Sequence, residues 1–580
     1  MLRKWCIQHK YSVIFIAFLI CFYGYSISRV YGFIFFPDEF GYWAYAAKAA
    51  GYDWSEIVSL GSYYSYGYSL ILFPIFKLCR DSVMAYRTAV TLNFILLGAV
   101  FFMMLFLAKR LLKEQQKERI PFYVAVTVLY PTWLFYAQTT MVETALMTTF
   151  VFITILLYNY LEKNKMSTLV LLVVALVYIH FLHMRAIGVL IAGIVTLITY
   201  FLLQKRMGKQ FLIFMVIGIV ILLGGFAIKG FVQGGLYGSA ATDTLNINDY
   251  AGQFEKMVYI FSRDGFVDLL CGLAGKILYL GLASFGLAYW GIWYAAKETV
   301  NLLKKGIRGE KCADGRLLYL FILLATVGET LINTIYNIRP GRVDSVTYGR
   351  YHEFILPIVM LLGIYEMTKT KKLLWGTIVI AVIQLPLVPM VLYMIQKYQL
   401  TNIHGYFMVG ISYLHYLKEF EPNSFFWTTY GFLIVLTVLT ACMVALSKRK
   451  GRELILVFLL VMEFLLSVRA SNVYLDSSSL GAYRDTYIVD KIETLKRDNT
   501  DRRIVYIRED DSPFVSIMQF MMRDEEISMI PCRAHIEEYT REEMDADDII
   551  MLKYDSDYTE EIEKQYTNHL LYGHFVIYYN

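Results

Sequence analysis

Stretches of about twenty apolar residues recur along most of this chain, and about twenty is the length an α-helix needs to cross the hydrocarbon core of a bilayer. Of 580 residues, 57% are hydrophobic and 18% charged, below the roughly 25% charge of globular proteins. The pattern predicts an α-helical polytopic membrane protein. On this basis spans fall near Tyr11–Phe36, Met84–Ala108, Pro121–Gln138, Met141–Leu161, Leu169–Leu182, Ile187–Leu203 and Phe211–Ile228. More fall near Leu270–Ala295, Leu317–Tyr336, Phe354–Met367, Leu373–Ile395, Phe426–Leu446 and Leu454–Val468. The total is about thirteen.

The basic start (Arg3, Lys4, Lys10) and the long apolar run to Phe36 read as a first span, with Arg29 snorkelling to the interface. Alternate connections are basic: Lys109–Arg119, Lys163–Lys165, Lys205–Lys209, Lys297–Arg316, Lys369–Lys372 and Lys448–Arg452. The positive-inside rule makes these and the N-terminus cytoplasmic, and an odd number of spans puts the C-terminus outside. The expected division is a membrane domain over 1–470 and a soluble extracytoplasmic domain over 471–580. In the latter, strand-like runs (Arg503–Ile507, Ile527–Ile530, Asp548–Lys553, His574–Tyr579) alternate with amphipathic stretches (Tyr487–Arg497, Pro513–Met522, Thr559–Tyr566), which predicts a small α/β domain. It has no Gly-rich phosphate loop.

Several classes are excluded. A net charge of +5 without a basic, aromatic-interleaved soluble segment gives no reason for a nucleic-acid partner. Seven scattered cysteines, none in a CxxC pair, suggest neither a zinc site nor a disulfide framework.

The first outer loop, 37–82, carries the densest signal. Phe36-Pro37-Asp38-Glu39-Phe40-Gly41-Tyr42-Trp43 sets two adjacent carboxylates just after the first span, opening a predicted amphipathic helix, Glu39 to Ala50, lying along the membrane surface. The loop continues Tyr63-Tyr64-Ser65-Tyr66-Gly67-Tyr68, where Tyr64 and Tyr66 are candidate substrate contacts, into an apolar run, Ser69 to Phe76, too short to span. Asp38 could serve only as a helix cap, which leaves Glu39 and the tyrosines without a role. Glu143 stands at the outer end of another span, where a carboxylate is a functional candidate unless interfacial water solvates it. Asp38, Glu39 and Glu143 are thus the candidate catalytic acids, with a divalent metal at the outer-loop carboxylates a further possibility.

Arg350 and Arg185 also sit at outer span ends, against the positive-inside bias, so each needs an anion. A phosphate suits the guanidinium fork. The alternative is a salt bridge to Asp38, Glu39, Glu143 or Glu353. Tyr351, beside Arg350, joins the phosphate-binding candidates. His180 and His183 read as core histidines rather than metal ligands.

Together, Asp38-Glu39, the Glu39–Ala50 helix and Arg350-Tyr351 followed by Pro357 resemble the GT-C superfamily of membrane glycosyltransferases, nearest the branch of protein O-mannosyltransferases and lipid A aminoarabinose transferases. The resemblance covers the membrane part. It implies transfer of a sugar from a polyprenyl-phosphate-linked donor to a glycan, lipid or protein acceptor at the outer face, inverting the anomeric centre, with a loop carboxylate as base and a cation at the leaving phosphate. Two other classes fit many spans. A flippase or transporter of lipid-linked sugars should place its working charges at mid-membrane and show repeat symmetry. A non-catalytic envelope-assembly protein would need none of these residues.

Overall fold

A computed structural model describes residues 9–35, 38–60, 65–112, 119–204, 208–237, 250–307, 314–412, 420–446, 452–509 and 514–580. Within these, nine helices are long and apolar enough to cross a membrane, from Lys10–Ile27 to Pro422–Leu439. Met166–Leu182 is apolar and slightly shorter.

Most predicted spans appear as helices with shifted ends, and Leu317–Tyr336 keeps its predicted bounds. Two differ in kind. The stretch expected as one span over Pro121–Gln138 is two short helices, Ile120–Val128 and Pro131–Tyr136. Pro131 cannot continue the preceding helix and instead opens the next at its first turn. The expected span Leu270–Ala295 is also two helices, Arg263–Ala283 and Leu287–Ile307. The break falls at Phe285 (φ 52°) and Gly286 (φ 78°), backbone that no α-helix accommodates. Arg29 does not simply reach for the interface. It pairs with Asp476 and donates to Asn472 at 3.3 Å, tying the end of the first helix to the end of the last apolar one, Arg452–Tyr474.

The helix expected over Glu39 to Ala50 runs Asp38–Ala50, one residue longer, but every residue from Glu39 to Ala47 is buried. It therefore lies inside the protein rather than half-immersed in the membrane surface. What covers it is chiefly the Ser69–Leu78 helix, together with the Val515–Met521 helix of the C-terminal domain. Phe520 packs between Phe33 (ring centroids 4.5 Å) and Trp43 (5.1 Å).

That domain begins as the chain leaves the last apolar helix at Tyr474 and enters Asp476–Asp498. Its sheet has five strands: β1 (Ile504–Arg508), β2 (Ile527–Pro531), β3 (Ile549–Lys553), β4 (Asn568–Tyr572) and β5 (Phe575–Tyr579). Their order is β2-β1-β3-β5-β4. β1 pairs in parallel with β2 and β3, and β5 pairs antiparallel with β3 and β4. Four strands match the predicted runs. β4 was not predicted, because its edge position leaves it largely exposed and without an apolar pattern.

One arginine fixes the domain to the membrane part. Arg523 donates to the carbonyls of Cys79 (2.5 Å), Phe76 (2.6 Å) and Arg80 (3.2 Å) and lies over the Phe76 ring at 3.8 Å. Those carbonyls end the Ser69–Leu78 helix, where a cation meets both unsatisfied C=O groups and the negative pole of the helix dipole. Arg523→Ala should lower the stability of the purified protein by about 3 kcal/mol, read as a fall in Tm, while Arg523→Lys recovers part of it. An unchanged Tm for Arg523→Ala would remove this anchoring role.

Candidate active site

Four charged side chains from four separate elements form one ion chain at one end of the helix bundle. Asp38 opens the Asp38–Ala50 helix, and its Oδ2 accepts from Arg350 Nη1 at 2.5 Å. Arg350, in the turn Gly349–Tyr351, donates through Nε to Glu143 Oε1, also at 2.5 Å. Glu143 begins the Glu143–Lys163 helix, where the positive helix pole favours a carboxylate. The same Oε1 accepts from Arg185 Nη2 at 2.7 Å. Arg185 sits in the short turn that leads into the Ile187–Leu203 helix.

Burial is uneven along this chain. The side chains of Glu143, Arg185 and Arg350 are 1–2% exposed, while Asp38 is 19% exposed. Glu143 is thus not solvated at an interface, and Asp38 is the member open to an approaching molecule. For Arg350 the structure shows the salt-bridge alternative: it bridges the carboxylates of Asp38 and Glu143. Arg185 keeps donor capacity. Its Nε and Nη1 make no hydrogen bond among the described residues, nor does Glu143 Oε2.

Aromatic rings wall the chain. Arg185 lies 4.4 Å from the Tyr351 ring, which also packs edge-on against Tyr348 at 4.7 Å. Tyr348 stacks on Phe407 at 5.2 Å, and Phe407 faces Arg350 at the same separation. Phe407 belongs to a segment held by Asp344, whose Oδ1 accepts from the His404 amide at 2.7 Å.

Glu39, the neighbour of Asp38, faces elsewhere. Its Oε1 accepts from the amides of Ile34 (2.7 Å) and Phe35 (2.9 Å). Its Oε2 accepts from Tyr86 OH (2.7 Å) and from the amide (2.7 Å) and hydroxyl (2.6 Å) of Thr140. Five donors saturate a fully buried carboxylate, so Glu39 ties the segment after the first helix to the Ser82–Leu111 helix and to the turn that precedes Glu143–Lys163. Tyr66 is buried in packing, its hydroxyl donating to Gly225 O at 3.1 Å and its ring 5.4 Å from Phe181. Tyr64 lies outside the described residues. His180 packs against Phe181 and Phe226, and His183 Nδ1 accepts from the Arg185 amide.

Asp38 and Glu143 do not fit a shared divalent cation, since the Arg350 guanidinium already lies between them. Among the described residues, no group of three or more His, Cys, Asp or Glu side chains could hold a metal.

Sequence reasoning passed over Glu353 as a site residue, along with Glu329, Lys276 and Tyr279. Glu329 Oε1 accepts from the Val189 amide at 3.1 Å, at the start of the Ile187–Leu203 helix. The signal available was a charge inside an apolar run. Glu353 Oε1 accepts from Thr132 Oγ1 at 3.0 Å and from Tyr279 OH, and its Oε2 has no partner among the described residues. Burial pushes its carboxyl up to about 8, against the opposing effect of those two hydrogen bonds. A folded-state value above the ordinary 4.5 means the folded protein holds the extra proton, so its stability contribution is complete below about 4.5 and is lost as pH rises through 8. Glu353→Gln, which cannot ionise, should match the wild type near pH 5 and gain in relative Tm up to pH 9. A Tm difference independent of pH would contradict a neutral Glu353.

The sequence matches no protein-family model and no curated protein. Solved structures do match. ArnT from Cupriavidus metallidurans bound to undecaprenyl phosphate aligns over 98% of this chain and 97% of that chain, with a TM-score of 0.51 and 13% identity. The apo state of the same protein aligns over the same shares at a TM-score of 0.49 and 13% identity. Alignment over nearly the full length of both chains establishes the architecture: this protein has the fold of ArnT, a bundle of apolar helices carrying a small C-terminal sheet domain.

Proposed function

We propose that this protein is a membrane glycosyltransferase that moves a sugar from a polyprenyl-phosphate-linked donor to an acceptor hydroxyl or amine at the outer face of the membrane. The observation that carries the reading is the Asp38–Arg350–Glu143–Arg185 chain, which pairs one accessible carboxylate with a buried guanidinium that has donors to spare. The likeness of fold to ArnT, solved with undecaprenyl phosphate, supports the lipid-phosphate class of donor.

In this reading the sugar lies alongside the ion chain, with its acceptor side at Asp38 and its phosphate at Arg185. The acceptor oxygen or nitrogen attacks the anomeric carbon as the bond from that carbon to the phosphate oxygen breaks. Asp38 takes the acceptor proton. The lipid phosphate leaves with both electrons of the broken bond, and Arg185 meets its growing charge through Nε–H and Nη1–H. One direct displacement inverts the anomeric centre. Glu143 contacts no substrate; it holds both arginines in place. The ends of the Glu143–Lys163, Leu317–Tyr336 and Leu356–Lys369 helices remote from the site carry or adjoin Lys163, Arg316 and Lys369. The positive-inside rule then puts the site, and the C-terminal domain packed beside it, on the outer side. These charges lie at helix ends rather than at mid-helix, which favours transfer over transport.

The acid is tested by Asp38→Asn with purified protein, lipid-phosphate sugar and acceptor. If Asp38 only caps a helix, Asn performs nearly as well, since the two rank together there. As the base, its loss should slow transfer about a hundredfold or more with an unchanged Tm. Near-normal transfer by a folded Asp38→Asn protein would discard the role. For the phosphate, Arg185→Lys keeps the charge but loses the fork. It should raise the donor KM about tenfold, the equivalent of one charged hydrogen bond, and an unchanged donor KM would remove Arg185 from the phosphate site.

A further inference from the structure

We propose that Lys276 is a positioning residue for this centre: a buried ammonium that fixes the turn before Arg350 and so sets the guanidinium between Asp38 and Glu143. The activity part of the test rests on the transferase reading; the structural part does not.

Lys276 is 1% exposed, in the middle of the Arg263–Ala283 helix. An ammonium in such a place is costly unless its donors are met. Its Nζ donates to the carbonyls of Ser345 (2.5 Å) and Val346 (2.9 Å). Both belong to the short helix Val343–Thr347, which leads directly into Tyr348-Gly349-Arg350. Asp344, one residue earlier, is fully buried, pairs with Arg342, and its negative charge also acts on the ammonium.

Approach between helix and turn is close enough to demand glycine at two points. A Cβ on Gly275 would stand 2.4 Å from the Val346 carbonyl oxygen, and one on Gly349 would stand 1.8 Å from the Tyr279 ring. Gly275, Lys276 and Tyr279 share one helix face by their three- and four-residue spacing, and that face presses on the turn.

The turn needs holding. Tyr348 has φ 29° and ψ 67°, a left-handed conformation that a side chain other than glycine rarely adopts and that persists only where surroundings over-determine it. Asn333 Nδ2 grips the Tyr348 carbonyl at 2.8 Å from the other side. Release at Lys276 would let Tyr348 relax and swing Arg350 two residues on. A guanidinium that must meet two carboxylates at 2.5 Å tolerates little displacement. Lys276 itself touches none of the four charged residues by hydrogen bond among the described contacts, so its effect on chemistry must pass through Arg350.

Lys276→Met, of similar length and without charge, tests this in the full-length protein. Amide hydrogen exchange should rise about tenfold or more across residues 343–353, by loss of the clamp, with the rest of the chain unchanged. Transfer should lose about a hundredfold in kcat with little change in acceptor KM. In an Arg350→Lys background, Lys276→Met should cost almost nothing further, because both changes damage the same geometry. Unaltered exchange over 343–353, or losses that multiply in the double variant, would overturn the proposal. Should Lys276→Met fail to accumulate, Lys276→Gln, an uncharged donor, carries the same measurements. If the wild type transfers no sugar from any lipid-phosphate donor, the transferase reading falls, while the exchange result still decides the role of Lys276.

Discussion

A buried carboxylate between two buried guanidiniums is the interaction on which the rest of this structure depends. Glu143 joins segments far apart in sequence: its oxygen meets Arg185, 42 residues on, and Arg350, 207 residues on, and Arg350 then reaches back 312 residues to Asp38. Each charge is tolerable only because its partner is present. Removing one member leaves an uncompensated charge away from water, which costs far more than the pair contributes. The helix ends that supply these residues are therefore fixed relative to one another, whatever the apolar packing elsewhere permits.

Packing around that chain can be read as support for it. Glu39 gathers five donors and pins the start of the Asp38–Ala50 helix, so Asp38 has a fixed origin. The C-terminal domain closes over the same helix through Phe520, Trp43 and Trp54, and the Trp54 indole donates to the Arg523 carbonyl at 3.1 Å. On the far side, the Arg263–Ala283 helix backs the Arg350 turn through Lys276 and Tyr279. The C-terminal domain thus helps bury the helix that carries Asp38, which gives an appended domain with no phosphate loop of its own a structural purpose.

Sequence alone exposed the members of the ion chain but not their union. Asp38, Glu143, Arg185 and Arg350 stood out because charge at a span end is costly, a local property. Which of them meet is set by how the helices pack, and no local pattern encodes it. Which way Asp38 and Glu39 each turn was hidden for the same reason. Successive helix residues point about 100° apart, so one faces Arg350 while the other faces Tyr86 and Thr140. Hydropathy located most spans yet merged the two helices that meet at Phe285-Gly286, because a composition window does not sense backbone direction. Lys276 escaped notice because one lysine barely disturbs an apolar run, and its value lies in two carbonyls about seventy residues away.

The most direct measurement is a structure of this protein with undecaprenyl phosphate, in a lipid nanodisc, with the phosphate resolved. The account predicts a phosphate oxygen within hydrogen-bonding distance of Arg185 Nε or Nη1, with Asp38 facing the position a sugar would take on that phosphate. A phosphate bound away from Arg185, or no occupancy at saturating lipid, would contradict the assignment of this ion chain as the catalytic centre.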